Sequence, residues 1–535
     1  MPKSLYLLSF ILLLSLACSN APATPVVATP APMPTVTPMP TPTATPIPIP
    51  SPLPAPKVNE ITCPFDVPAD IKITCGTFIV PAKRSQPDGA TIKLAYAILH
   101  ASDTPQPDPI LYLEGGPGGS PLDSLASDPY SWSDYSYVNN RDVILLDQRG
   151  TGYSEPSLNC PEEEEGILDD PTRVCYDRLM KAGIDLSAYN TVDSAADVAD
   201  LWHGLGYQQV NLFGVSYGTR LALAVMRYHP NGIRSVVLDS VYPPNEAVPD
   251  EEALLTLNSM RRMVADCARQ AECAAAYPDL EEVLRETVKR LNEESDFVIL
   301  GEDEEETEIT GDDFVGTLFQ AMYDVELLPL LPRAIYEVSE GEYEVYDILV
   351  NVDDYYYYDE ESETVEEGES DDRSQVAKME DRSDSEGMYY AMSCNDEYPF
   401  ANLERAKARL NADVPAELQS AFDVEPMFET CATWGAKEAP ASENEAVVSD
   451  LPTLILAGTY DPVTPLEMAQ LAAKTLSHAQ LFEFPGYGHS ISSDVDCPTS
   501  LITQFYNNPA VNVDSRCWRE IEPPYFYLPD DELDF

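Results

Sequence analysis

Val210-Asn211-Leu212-Phe213-Gly214-Val215-Ser216-Tyr217-Gly218 is the stretch on which the fold turns. Its first four residues form a short, mainly apolar run of the kind found in a strand buried on both faces. Residues Thr219–Tyr228 that follow read as a helix. Between the two, Gly214 and Gly218 flank Ser216, and glycine tolerates the close approaches of a sharp turn. A strand, a tight turn and a helix lift a serine hydroxyl off the edge of a sheet, which is the setting of a nucleophile elbow. The five-residue pattern alone recurs by chance; its context gives it weight.

The same punctuation extends outward. Thr91–Leu99 alternates Ile92, Leu94, Tyr96 and Ile98 with smaller or polar neighbours. Short apolar runs recur at Ile110–Leu113, Val143–Leu146, Val236–Leu238, Leu454–Ala457 and Leu481–Phe484. Helical stretches such as Ala195–Leu205 lie between several of them, and strands alternating with helices predict a mostly parallel α/β sheet. The middle of the chain breaks this rhythm. Asp250–Glu294, Ala401–Leu410 and Val414–Phe422 read as helices. Asp353–Glu386 carries fifteen acidic side chains against Arg373, Lys378 and Arg382, a solvated composition without EF-hand spacing. The expected organisation is an α/β domain in two parts, residues 58–245 and 446–535 with an acidic tail. A helical cap, 246–445, interrupts it and includes an acidic flexible segment near 353–386.

A serine hydroxyl is a weak nucleophile and needs a base held by an acid. On this architecture the chain order is serine, acid, histidine. Of the five histidines, His100 and His203 precede Ser216, His229 ends the helix behind it, and His478 stands before a strand. His489 lies in Gly486-Tyr487-Gly488-His489-Ser490, a glycine-rich loop directly after Leu481–Phe484, where an imidazole reaches back over the sheet edge. Asp461, in the loop after Leu454–Ala457, is the expected acid, although Asp-Pro is also ordinary turn chemistry. The tetrahedral intermediate needs backbone donors. Ile110–Leu113 runs into Glu114-Gly115-Gly116-Pro117-Gly118-Gly119, so the amide of Gly115 or Gly116, together with that of Tyr217, is the expected oxyanion hole. A phosphate loop is the rival reading, but the Walker pattern is absent.

Together these residues resemble an α/β-hydrolase of the prolyl iminopeptidase and tripeptidyl aminopeptidase group. Gly115–Gly119 resembles the group's glycine-proline loop, and Asp147-Gln148-Arg149-Gly150-Thr151-Gly152-Tyr153-Ser154 its second signature. Gly214–Gly218 and Asp461–Pro465 match its nucleophile and acid motifs. Cys394-Asn395-Asp396 and Cys431–Trp434 resemble segments of the tripeptidyl branch, and the likeness runs from about Cys75 to Cys517. Glu114 departs from the pattern, standing where prolyl iminopeptidases have histidine. The resemblance implies an α/β-hydrolase fold with a helical cap and cleavage of peptide substrates near a free N-terminus, without metal or cofactor. Such an enzyme must bind an ammonium group, and Asp396, Glu397 and Glu114 are the candidates. An esterase on the same triad and a non-catalytic envelope protein are the alternatives.

The ends and the composition speak to location. In the 535 residues, 31 basic and 92 acidic side chains give a formal charge of −61, which argues against nucleic-acid binding. Residues 1–17 read as a signal peptide: Lys3, an apolar run from Leu5 to Leu14, then Ser15-Leu16-Ala17-Cys18. Cys18 is the expected lipidation site, with free secretion as the alternative. Residues 18–57, dense in proline, read as an extended tether to the membrane. Ten cysteines remain and fall into neighbouring pairs: Cys63–Cys75, Cys160–Cys175, Cys267–Cys273, Cys394–Cys431 and Cys497–Cys517. Disulfides suit an oxidising compartment. The Cys267–Cys273 pair sets a geometric condition. Six residues of unbroken helix span about 9 Å, beyond the roughly 7 Å that a disulfide bridges, so the chain must bend between them. Oligomeric state leaves no trace in the sequence.

Overall fold

The computed structural model describes residues 56–533 apart from 164–169, 302–305, 352–381, 436–438 and 494–495. The signal segment, Cys18, nearly all of the Pro-rich stretch and most of the acidic segment lie outside the described residues. Eleven strands are described: β1 Asn59–Ile61, β2 Ile73–Pro81, β3 Thr91–Leu99, β4 Ile110–Leu113, β5 Val143–Leu146, β6 Val210–Val215, β7 Ile233–Asp239, β8 Asp296–Ile299, β9 Glu306–Ile309, β10 Thr453–Gly458 and β11 Ala479–Phe484. Nine form one sheet in the order β1-β2-β3-β5-β4-β6-β7-β10-β11. β1, β2, β3 and β5 pair antiparallel in that order. From β5 to β11 every neighbour is parallel.

β5, β6 and β10 are buried at every position, which is why they read as apolar runs rather than alternating ones. One face of the sheet is covered by helices Thr191–Gly204 and Tyr217–Tyr228, through Trp202, Leu221 and Val225 among others. The other face packs on Leu122, Leu125, Leu501 and Phe505. Chain order reverses beside β4, with β5 on one side and β6 on the other. A reversal of this kind opens a crevice at the carboxyl ends of the strands. The loops carrying Glu114, Ser216, Asp461 and His489 all leave those ends.

The cap has its own core, including Leu257, Met263, Leu284, Val288, Phe314, Leu331 and Ile335. It is built from helices Val248–Arg269, Leu280–Glu293, Gly311–Ala321, Leu331–Glu340 and Glu344–Val350, with the β8–β9 hairpin at its edge. Three features differ from the sequence reading. Helices Glu386–Asp396 and Glu425–Trp434 place Met388, Met392, Cys394, Cys431 and Trp434 in the core that backs the sheet, not in that of the cap. Val414–Phe422 is two short 3-10 turns rather than a helix, and Pro415, which has no N–H, keeps helix Leu403–Asp413 from running into them. The C-terminal segment packs on the cap: Phe526 joins its core, and Arg333 donates to the carbonyl of Asp531 at 2.9 Å.

The structure contains disulfides Cys63–Cys75, Cys160–Cys175, Cys267–Cys273, Cys394–Cys431 and Cys497–Cys517. The bend between Cys267 and Cys273 is at Gln270, whose φ of −86° and ψ of 120° separate helix Val248–Arg269 from helix Ala271–Ala276. The two Cα atoms thereby come to 5.2 Å. No helix among the described residues is long and apolar enough to cross a membrane.

Candidate active site

Ser216 sits between β6 and helix Tyr217–Tyr228 with φ 53° and ψ −126°, a conformation that costs a non-glycine residue energy and persists only where surroundings hold it. They do so on both sides of the residue. Its N–H donates to the Asp239 carbonyl at 3.0 Å, and the Thr219 hydroxyl donates to its carbonyl at 2.6 Å. Gly218 allows the turn to press against β4: a Cβ there would lie 2.0 Å from the Leu113 carbonyl oxygen.

His489 and Asp461 meet across the loops after β11 and β10, with Nδ1 2.9 Å from Asp461 Oδ2. A carboxylate only accepts, so Nδ1 carries the proton and Nε2 is the basic nitrogen. Asp461 also accepts the N–H of Val463 at 2.9 Å, the N–H of Thr464 at 2.8 Å and the Thr464 hydroxyl at 2.7 Å. The Asp-Pro turn is therefore both ordinary turn chemistry and the platform for an imidazole. Burial alone would raise the Asp461 carboxyl; the His489 charge and these hydrogen bonds outweigh it and hold it below its usual range. Burial alone would lower His489, but the Asp461 charge and hydrogen bond, with the Asp239 charge, raise it. Cap helix Val248–Arg269 steadies the acid loop, Ser259 donating to the Asp461 carbonyl at 2.6 Å and Thr256 to that of Pro462 at 2.9 Å. Of the other histidines, His100 lies 2.8 Å from the Thr74 hydroxyl, His203 and His478 meet backbone carbonyls, and burial pushes His229 down to about 4.

The glycine loop abuts the serine, since a Cβ on Gly115 would lie 3.1 Å from Ser216 Cβ. Here the structure separates the two alternatives. The Gly115 N–H donates to the Glu114 carboxylate at 2.8 Å, so that amide is occupied. The Gly116 amide, at an exposed position, and that of Tyr217 remain. Tyr217 is the first residue of its helix, where an N–H has no intrahelical partner. Burial raises the Glu114 carboxyl above its usual range. The second signature supports this loop. Gln148 Nε2 donates to the Glu114 carbonyl at 3.0 Å, and Asp147 accepts the Ser120 hydroxyl at 2.9 Å and the Tyr153 N–H at 2.7 Å.

Asp396 does not face the cleft, which corrects the expectation for it. It is 3% exposed, and its Oδ2 accepts both the N–H and the hydroxyl of Thr191 at 2.7 Å. The residue joins the end of helix Glu386–Asp396 to the start of helix Thr191–Gly204. Glu397, half-buried, accepts the Tyr242 hydroxyl at 2.6 Å. Tyr242 lies under the Arg220 guanidinium at 5.1 Å, and its N–H donates at 2.7 Å to Thr219, the residue that holds the Ser216 carbonyl.

Several wall residues carry no sequence signal. Tyr323 sets its ring edge-on to His489 at 5.1 Å between centroids. Glu252 is reached by solvent yet crowded by protein, and burial together with the Glu397 charge raises its carboxyl. Tyr389 and Tyr398 are raised by burial and by the charges of both Glu252 and Glu397. These residues come from separate helices and connecting segments of the cap, so no spacing announces them. Among the described residues one group has metal-ligand geometry, Cys160, Glu162 and Cys175, and its two sulfurs are joined in a disulfide.

A family profile described as alpha/beta hydrolase fold matches residues 108–287, and one described as TAP-like protein matches residues 420–517. The chain is similar to serine protease Hip1 of Mycobacterium tuberculosis, 24% identical over 473 residues that cover 81% of this chain and 84% of that protein. It is similar to tripeptidyl aminopeptidase of Streptomyces coelicolor, 28% identical over 199 residues covering 32% of this chain and 36% of that one. Carboxylesterase B of Mycobacterium tuberculosis is 25% identical over 477 residues, covering 81% and 84%. The chain is an enzyme with the α/β-hydrolase fold.

Proposed function

We propose that this enzyme is a serine exopeptidase that removes residues from the free N-terminus of a peptide. The observation that carries the reading is the carboxylate pair Glu252 and Glu397, set among Tyr242, Tyr389 and Tyr398, with Tyr242 bonded to the Thr219 hydroxyl that holds the Ser216 carbonyl. A carboxylate whose charge is disfavoured by burial and by a neighbouring carboxylate gains from a cation, and the peptide ammonium is the cation such a substrate presents. Ser216 Oγ attacks the carbonyl carbon while His489 Nε2 takes its proton. The amides of Gly116 and Tyr217 receive the oxyanion. His489 then returns the proton to the leaving amine, and water releases the acyl group by the same relay. Asp461 keeps the imidazole in the right tautomer and stabilises its positive form. Relatives named as a serine protease and a tripeptidyl aminopeptidase support a peptidase over other hydrolases.

The location belongs to the same proposal. Five disulfides suit an exported domain. Lipidation at Cys18 and a proline-rich tether would hold that domain at the outer face of a membrane.

Release of a chromogenic amine from matched peptides tests the function. The set holds one-residue and three-residue substrates, each with free and acetylated N-termini, and a simple ester. Turnover of the free-amine peptides alone is the expected result, and the preferred length names the branch. Ester turnover without peptide turnover would move the enzyme toward its carboxylesterase-named relative.

A further inference from the structure

Asp239 is the last residue of β7, wholly buried, and stands beside the triad without belonging to it. Its carbonyl accepts the Ser216 N–H at 3.0 Å. Its carboxylate reaches the opposite partner: Oδ1 accepts the N–H of Ile491 at 3.1 Å, and Oδ2 that of Ser492 at 2.7 Å. The next residue, Ser240, accepts the Ser490 N–H on its hydroxyl at 2.9 Å. Three consecutive amides after His489 are thus held by two consecutive residues at the end of one strand. Ser240 and Ser490 both have positive φ, 56° and 62°, the kind of local strain that persists where function over-determines it.

We infer that Asp239 is a positioning residue that fixes the histidine loop against the nucleophile's own strand and adds a second negative charge beside the imidazole. This rests on the reading of Ser216, His489 and Asp461 as nucleophile, base and acid. Asp461 holds the imidazole by its ring; Asp239 and Ser240 hold the backbone that carries it. The groups facing His489 are Asp461 and Thr464 from the loop after β10, Asp239 from β7 and the Tyr323 ring from the cap. Burial raises the Asp239 carboxyl above its usual range, opposed by its hydrogen bonds to Ser492 and Ile491 and by the His489 charge. Both its oxygens accept hydrogen bonds, the pattern of a carboxylate, and its charge acts on His489 in the same direction as that of Asp461. A base held too loosely by an ångström loses rate without losing substrate affinity. A base deprived of one neighbouring anion titrates at lower pH.

The test is the rate at which a fluorophosphonate probe labels Ser216 across pH, which needs no knowledge of the peptide. Asp239→Asn keeps the shape but offers one acceptor where two amides arrive, and it removes the charge. Its plateau rate is expected to fall about 30-fold, roughly 2 kcal/mol, with the acid limb moved to lower pH. Ser240→Ala removes one amide's partner and leaves the charge, so its rate falls less and its acid limb stays in place. A folded Asp239→Asn whose acid limb coincides with that of wild type overturns the inference at any rate, because a merely structural aspartate gives that result. Should Asp239→Asn fail to fold, Ser240→Ala decides: a lower plateau supports the clamp, and wild-type labelling overturns it. Wild-type protein that the probe does not label overturns the triad reading itself, an outcome distinct from all of these.

Discussion

Asp461 at the sheet edge and Asp396 at the joint between two helices that back the sheet are both buried, and their surroundings drive them in opposite directions. Burial disfavours the charge of each. At Asp461 four hydrogen bonds and the positive form of His489 more than offset it, and the carboxyl falls below its usual range. At Asp396 the two donors of Thr191 and the nearby Arg220 do not, with Glu443 adding a like charge, and the carboxyl is pushed up to about 7. The sheet edge is built to hold a charge through the reaction. The substrate side crowds carboxylates together: burial and the Glu397 charge both raise the Glu252 carboxyl, while the Arg220 guanidinium answers Glu397. The difference separates the part of the molecule that performs the step from the part that waits for a substrate.

Breaking the sheet-edge side should cost most. Ser216→Ala is expected to lower peptide turnover by at least about 10⁴-fold, and Asp461→Asn by about the same, since the wrong histidine tautomer is then favoured. Steady-state kinetics on the free-amine peptides checks both, with circular dichroism to show that the fold survives. The pH profile of wild-type kcat/KM probes the same side. Neutral His489 is the active form, so the rate should fall about tenfold per pH unit below its titration. The limb should lie above the ordinary histidine value of 6.5. A limb at or below that value would mean that the Asp461 and Asp239 charges do not reach the ring.

On the cap side the expected effect is smaller and of another kind. Glu252→Gln and Glu397→Gln should each raise KM for free-amine peptides about tenfold, some 1.4 kcal/mol of lost binding, with kcat little changed. Acetylated peptides should be unaffected, so the preference for a free amine shrinks. Equal losses on both substrate sets would show that the pair supports the fold rather than the ammonium.

The two sides also differ in how far the sequence discloses them. Strands β4, β5, β6, β7 and β10 were legible because burial on both faces leaves short apolar runs, β11 at the sheet edge through Leu481, Phe482 and Phe484, and the site residues follow their carboxyl ends. β2 has an exposed position at Ile79 and lacks a clean run, and β1 is three exposed residues, so neither left a signal. Glu252, Tyr323 and Glu397 come from elements far apart in the chain, and only packing assembles them. Asp239 was accessible in principle, as a carboxylate at the end of a legible strand. Asp396 misled for a physical reason: next to Glu397 in the chain, it points the other way because it ends a helix whose neighbour needs a cap at Thr191.

Asp396→Asn sharpens the contrast with the smallest expected effect. In the folded protein Asp396 binds its proton up to about pH 7, and in the unfolded chain only to near 3.8. Between those values the folded state holds more protons, so stability contributed by this group is full below about 4 and declines as pH rises through about 7. Asparagine keeps the oxygen that accepts from Thr191 and cannot ionise. The variant should therefore match wild type near pH 4 and exceed it at pH 8 by up to about 4 kcal/mol, read as a higher Tm whose gap widens between those pH values. KM for free-amine peptides should not move, because the side chain faces Thr191 and not the cleft. A rise in KM like that of Glu397→Gln would return Asp396 to the substrate side, and a Tm gap that does not change with pH would show that its carboxyl is ionised in the fold after all.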